Sequence, residues 1–246
     1  MTAPGGTPRQ MAPPISAADQ LIVALDFPDA GSALSLVERL DGIARWYKVG
    51  LELYIAEGNA LLASLRARGY SVFLDLKLHD IPQTVASAVR SASRSGAEML
   101  TVHACGGPEM LTASADAAGD RTRILAVTVL TSMDEPQLAA VGTTRSPAAQ
   151  VELLAELAFA AGIRGFVASP QEVGSLRRHF GAEVTLVAPG IRPLSSDPGD
   201  QKRVGSPRSA IAEGANYLVV GRPITRAADP AAAAKAILME METTSG

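Results

Sequence analysis

The chain has 246 residues, 47% of them hydrophobic, and a formal net charge of −3; this is enough apolar material for one large core, without the basic excess that would bind nucleic acid or an anionic membrane. Cys105 is the only cysteine, which excludes an intrachain disulfide and a zinc site built on cysteines. No run approaches the roughly 20 consecutive apolar residues that a membrane-spanning helix requires.

Residues 1–19 carry Pro4, Pro8, Pro13 and Pro14 with little apolar content. They lack the apolar stretch of a signal peptide, so a disordered tail on a cytoplasmic protein is expected. From residue 20 to residue 246 short β-branched runs alternate with longer amphipathic ones. The runs predict strands over 21–27, 46–50, 71–78, 99–103, 124–130, 165–168, 183–188 and 217–220. Between them apolar residues recur at helical spacing, as in Ile81, Val85, Val89 and Ala92, and in Leu154, Leu157, Ala158 and Ala161. Gly69, Gly96, Gly162 and Gly214 each stand just before a strand, where a helix would stop. Alternating strands and helices imply parallel pairing with right-handed crossovers. Eight such units form a single-domain (β/α)8 TIM barrel of the α/β class. An open doubly wound sheet would carry fewer strands and a glycine-rich first turn, whereas the first turn here is Asp26-Phe27-Pro28-Asp29.

In a (β/α)8 barrel the active site lies at the carboxyl ends of the strands, and that is where the polar chemistry collects. Asp26 ends the first predicted strand, Lys48 lies late in the second, and Asp75 and Lys77 end the third. Residues two apart on a strand share a face, so Asp75 and Lys77 lie opposite Leu74, Leu76 and Leu78. Asp26 alternates in phase with Ile22 and Ala24, and Lys48 with Trp46. If these phases face inward, the four charges meet in one cavity, with Asp80 at its rim. Carboxylates interleaved with ammoniums favour the charged forms, and an ammonium so held can donate a proton. Plainer roles exist for each: a structural Asp75–Lys77 ion pair, Asp26 capping the next helix, and Asp80 as an N-cap with Pro82 in the first turn. His103 and Cys105 read as packing residues, and His179, beside Arg177 and Arg178, as a surface residue.

The connection 190–204 lacks apolar periodicity and holds Arg192, Asp197, Asp200, Gln201, Lys202 and Arg203. Unstructured connections of this length inside a domain are usually functional or disordered. Gly221-Arg222 follows the eighth strand, and the loops after strands seven and eight are the recurrent phosphate site of this fold. A guanidinium fork suits phosphate; the plainer alternative is a surface loop.

These stretches also resemble a family, the orotidine 5′-phosphate decarboxylases of the stand-alone bacterial type. The resemblance is carried by Ala24-Leu25-Asp26-Phe27, Lys48-Val49-Gly50, Asp75-Leu76-Lys77-Leu78-His79-Asp80-Ile81-Pro82-Gln83-Thr84, Val127-Thr128-Val129-Leu130-Thr131-Ser132, Pro189-Gly190-Ile191-Arg192-Pro193, Asp200-Gln201-Lys202-Arg203 and Val220-Gly221-Arg222-Pro223-Ile224-Thr225. It implies decarboxylation of orotidine 5′-monophosphate to uridine 5′-monophosphate (UMP), in de novo pyrimidine synthesis, with no metal and no cofactor. On that analogy Lys77 protonates C6 of the pyrimidine, Asp75 lies against the substrate carboxylate, and Asp26 and Lys48 bind ribose hydroxyls, Lys48 completing the charge network. Thr131 would contact the pyrimidine, while Arg192, Gln201, Gly221 and Arg222 hold the phosphate side. Asp80 would reach into the site of a second subunit of a homodimer, and Ile81 and Thr84 of the same motif join the substrate-binding set. Two other readings remain: a magnesium-dependent sugar-phosphate decarboxylase sharing the spacing of Asp75, Lys77 and Asp80, and a non-catalytic barrel that binds a phosphorylated ligand. A lysine at position 48 opposes the first, whose metal is held partly by an acidic residue near that place.

Overall fold

Each predicted strand finds the next as a parallel neighbour, and the eighth returns to the first. In a computed structural model, which describes residues 16–193 and 203–242, the order is β1 (Leu21–Leu25), β2 (Trp46–Gly50), β3 (Ser71–Leu78), β4 (Met99–His103), β5 (Arg123–Val127), β6 (Gly165–Val167), β7 (Thr185–Ala188) and β8 (Tyr217–Val220). β1 pairs with β2 and with β8, closing the barrel. The expected fold class is therefore the observed one.

The two-residue period of the strands sorts their side chains into two layers. Ile22, Ala24, Phe73, Met99, Leu125, Val187 and Val219 fill the barrel interior. Leu21, Val23, Leu25, Tyr47, Val49, Val72 and Leu74 point the other way, into the layer shared with the surrounding helices. Burial of a large aliphatic side chain contributes about 1.5–3 kcal/mol, so a one-residue slip of a strand would swap its interior and helix-facing side chains and mispack both layers. The helix Pro82–Ser95 shows the complementary period: Val85, Ala86, Val89 and Ala92 are its buried stripe. It ends at Gly96, whose φ of 84° is a left-handed conformation that glycine adopts without a Cβ penalty.

Several boundaries differ from expectation, each for a local reason. Ile81 is not on the buried stripe; it occupies the cap position before Pro82 and is 67% exposed. Asp80 does not cap this helix: its carboxylate accepts a hydrogen bond from the Ile81 amide at 2.6 Å, with no side-chain cap bond at the helix start. Asp29, not Asp26, caps the first crossover helix (Ala30–Arg39), accepting from the Ser32 amide at 2.8 Å. β1 and β5 stop at Leu25 and Val127, short of the expected 27 and 130. β7 starts at Thr185, after a tight turn over Gly181–Glu183. Within the stretch expected to be a disordered tail, Ala17–Gln20 forms a helical turn capped by Ser16 and packs on the Pro230–Glu242 helix. The rest of that tail, residues 1–15, lies outside the described residues. Among the described residues, no helix is long and apolar enough to cross a membrane.

Candidate active site

The carboxyl ends of β1, β2 and β3 build the floor of the site through their register. Gly50 pairs with Asp75, and Leu25, which precedes Asp26, pairs with Val49. Asp26 and Asp75 thus flank position 50, where no side chain intervenes. Lys48, one layer below, extends its ammonium into that gap. A Cβ on Gly50 would come within 3.0 Å of Lys48 Nζ and 3.4 Å of Asp26 Oδ1, so the glycine is what admits the lysine. Lys48 Nζ donates to Asp26 Oδ1 at 2.9 Å and lies 3.7 Å from Asp75 Oδ2.

Asp75 and Lys77 meet in a less regular way than strict alternation predicts. Leu74 pairs with Leu100 and Leu78 with Val102, so three residues of β3 stand opposite Thr101 alone. This bulge carries Lys77 into a left-handed conformation with φ 50°, the single positive φ at a non-glycine position among the described residues. Such backbone is unfavourable for a residue with a Cβ and collects at functional sites. Lys77 Nζ donates to both carboxylate oxygens of Asp75 at 2.8 Å. The result is an alternating row, Asp26–Lys48–Asp75–Lys77.

Solvent grades this row. The Asp75 and Lys48 side chains are each 12% exposed and Lys77 31%, whereas Asp26 is 61% exposed, so the Asp26 end is weakened by screening. Burial opposes ionisation of Asp75, but the Lys48 and Lys77 ammoniums and the hydrogen bonds from Lys77 and Thr101 outweigh it and hold its carboxyl below the ordinary aspartate range.

The row opens on a cavity of about 520 Å³ lined by Asp26, Lys48, Asp75, Lys77, Thr131, Arg192, Gly221 and Arg222, with Leu130 and Pro189 on its apolar side. Eight of the expected site residues are therefore together. Asp80, Ile81 and Thr84 are exposed and are not among the residues lining this cavity. Gln201, Asp197, Asp200 and Lys202 lie outside the described residues. The ends of their connection are joined: Arg192 N donates to Gly205 O at 2.9 Å and Gly205 N to Gly190 O at 3.2 Å. His103 is half-buried beside His79, and burial first, then the His79 and Lys77 charges, lowers its pKa. Cys105, expected to pack, is exposed, and His179 is at the surface, 3.5 Å from Glu156.

Two features were not read from the sequence. The first is Thr101, fully buried on β4, which donates to Asp75 Oδ1 at 2.9 Å and accepts from the Lys77 amide at 2.8 Å. A lone hydroxyl in phase with the inward Met99 was its only signal. The second is a buried pair, Glu172 with Arg203, in which Ser169 also donates to Glu172. Arg203 donates to the carbonyls of Val129 and Leu130 at 2.9 Å each, anchoring the end of the 190–204 connection to the segment that presents Thr131. Glu172 lies on a helix the sequence did not connect to either.

The family described as "Orotidine 5′-phosphate decarboxylase / HUMPS family" matches residues 19–237. The orotidine 5′-phosphate decarboxylase of Moorella thermoacetica is 49% identical over 92% of this chain and 93% of its own. That of Rhodopseudomonas palustris is 50% identical over 94% of this chain and 98% of its own. Among solved structures, the orotidine 5′-phosphate decarboxylase of Lactobacillus acidophilus superposes with a TM-score of 0.80 at 36% identity, covering 90% of this chain and 98% of that one.

Proposed function

Since the chain belongs to the orotidine 5′-phosphate decarboxylase / HUMPS family, we propose that it converts orotidine 5′-monophosphate to UMP and carbon dioxide, in the cytoplasm, without a metal or cofactor. The observation that carries this reading is the row Asp26–Lys48–Asp75–Lys77 on the cavity floor, with Lys77 held beside Asp75 by strained backbone.

The chemistry follows from the charges. When the bond between C6 and the carboxylate breaks, its electron pair stays on a ring carbon that has no adjacent sink. An ammonium fixed at that carbon stabilises the charge where it develops and then transfers its proton to C6; Lys77 has this role. Lys77 regains a proton from solvent after product leaves. Asp75 lies against the substrate carboxylate, and Lys48 and Asp26 bind the ribose hydroxyls. Thr131 contacts the pyrimidine. Arg192, Gln201, Gly221 and Arg222 hold the phosphate, and this remote grip supplies binding energy that orients the reacting carbon. Lys48 also separates this reading from the magnesium-dependent one, because its ammonium supplies the positive charge between Asp26 and Asp75.

The test follows the loss of orotidylate absorbance with and without EDTA, and repeats the assay with orotidine. Turnover of orotidylate should be indifferent to the chelator. Orotidine should lose about 100-fold or more in kcat/KM, because charge-assisted hydrogen bonds to phosphate each contribute about 1.5–3 kcal/mol. Activity abolished by EDTA and restored by magnesium would overturn the reading, and equal turnover of orotidine would remove the phosphate grip.

The protein further acts as a homodimer in which Asp80, Ile81 and Thr84 enter the partner's site. Their exposure, on residues of the motif that do not line their own cavity, supports this. Mixing Asp80→Ala with Lys77→Ala subunits should then regenerate wild-type-like turnover at about a quarter of the sites, since half the dimers are mixed and each has one intact site. No recovery after confirmed subunit exchange would show that sites are not shared.

A further inference from the structure

We propose that Thr101 is a positioning residue for the decarboxylation: its hydroxyl replaces the ladder partner that the β3 bulge takes from Lys77, and so holds Lys77 and Asp75 in their working geometry. This rests on the decarboxylase reading of the same site.

The bulge creates the need. With three residues of β3 opposite one of β4, the regular parallel ladder is interrupted at Lys77, and a shielded amide without a partner is costly. A left-handed backbone at a residue with a Cβ persists only where the surroundings over-determine it. Thr101 supplies both constraints from one oxygen. The hydroxyl accepts from Lys77 N at 2.8 Å and donates to Asp75 Oδ1 at 2.9 Å, the donor and acceptor capacity a hydroxyl offers. One end of the interaction locks the backbone of the proton donor. The other locks the carboxylate that this donor grips through both oxygens at 2.8 Å. Thr101 is 0% exposed and does not line the cavity, so its influence reaches substrate through these two residues. Valine has nearly the same shape and can do neither.

The experiment compares Thr101→Val, Thr101→Ala and Thr101→Ser in the full-length protein. Each is measured for kcat and KM with orotidylate, for UMP affinity by calorimetry, and for amide hydrogen exchange at Lys77. Valine and alanine should lower kcat by about 10- to 100-fold, the effect of losing a charge-assisted hydrogen bond and slightly misplacing the reacting group. Affinity for UMP should stay within about threefold, as expected when an interaction important only to the transition state is removed. Exchange at the Lys77 amide should accelerate in both, while serine restores kcat and protection. If the valine variant does not fold, the serine and alanine variants, which differ by one oxygen, decide. Equal kcat for serine and alanine, or unchanged Lys77 exchange in alanine, would overturn the proposal. Failure of the wild-type protein to consume orotidylate would instead count against the decarboxylase reading, with the exchange comparison still reporting on Thr101.

Discussion

Lys77→Ala should abolish turnover of orotidylate while the protein still binds UMP. Two contributions disappear together. General acid catalysis by a positioned group accounts for about 10²–10⁴-fold, and preorganised electrostatic stabilisation of the developing charge for a further large factor; a fall of about 10⁴-fold or more in kcat is therefore expected. Binding of UMP should be spared because the product has no carboxylate at C6 and its phosphate and ribose are held by other residues. Asp75 remains beside Lys48 at 3.7 Å and Thr101 at 2.9 Å, so the floor keeps one ammonium. Kinetics and calorimetry on the same preparation check the two halves. Undiminished turnover would refute the role of Lys77, and loss of UMP binding alongside turnover would show that the lysine serves binding rather than the chemical step.

Glu172→Ala should produce the largest loss of stability of any single substitution considered. Glu172 is 7% exposed and Arg203 8%, and among the described residues the Arg203 Nε has no hydrogen-bond partner. Removing the carboxylate leaves a buried guanidinium without its counter-charge, which costs about 3–5 kcal/mol. For a domain of this size that lowers Tm by about 6–20 °C. Glu172→Gln, which keeps an acceptor for Ser169 and Arg203 but no charge, should fall between alanine and wild type. Thermal unfolding followed by circular dichroism checks this, and an unchanged Tm in the alanine variant would show that the pair contributes nothing. The substitution also bears on the site, because Arg203 bonds the carbonyls of Val129 and Leu130, next to Thr131 on the cavity wall.

Much of the molecule is legible in the chain because its strand and helix periods depend on near neighbours alone. The shared face of Ile22 and Ala24, the opposite face of Leu21, Val23 and Leu25, and the stripe of Val85, Val89 and Ala92 all follow from residues two to four apart. The eight-fold alternation then implies closure, and closure brings charges at strand ends into one space. The places where this logic fails are those where a distant partner overrides the local pattern. Strict alternation brings Asp75 and Lys77 to one face but does not contain the bulge or the positive φ at Lys77. The helix starts at Ala30, so Asp29 holds the cap position, while Asp26, three residues earlier, is engaged by Lys48 reaching across from β2.

Composition and short-range spacing by themselves thus determined the barrel, which neighbours share a face with Asp26, Lys48 and Asp75, and the resemblance carried by the motif around Lys77. Only the tertiary structure decided that Gly50 makes room for the Lys48 ammonium, that Thr101 holds Lys77 and Asp75, and that Glu172 meets Arg203 across 31 positions of sequence. The physical reason is range: a strand's period is set by steric contacts along its own few residues, whereas a hydrogen bond between strands or loops exists only once register and closure have brought its two ends together.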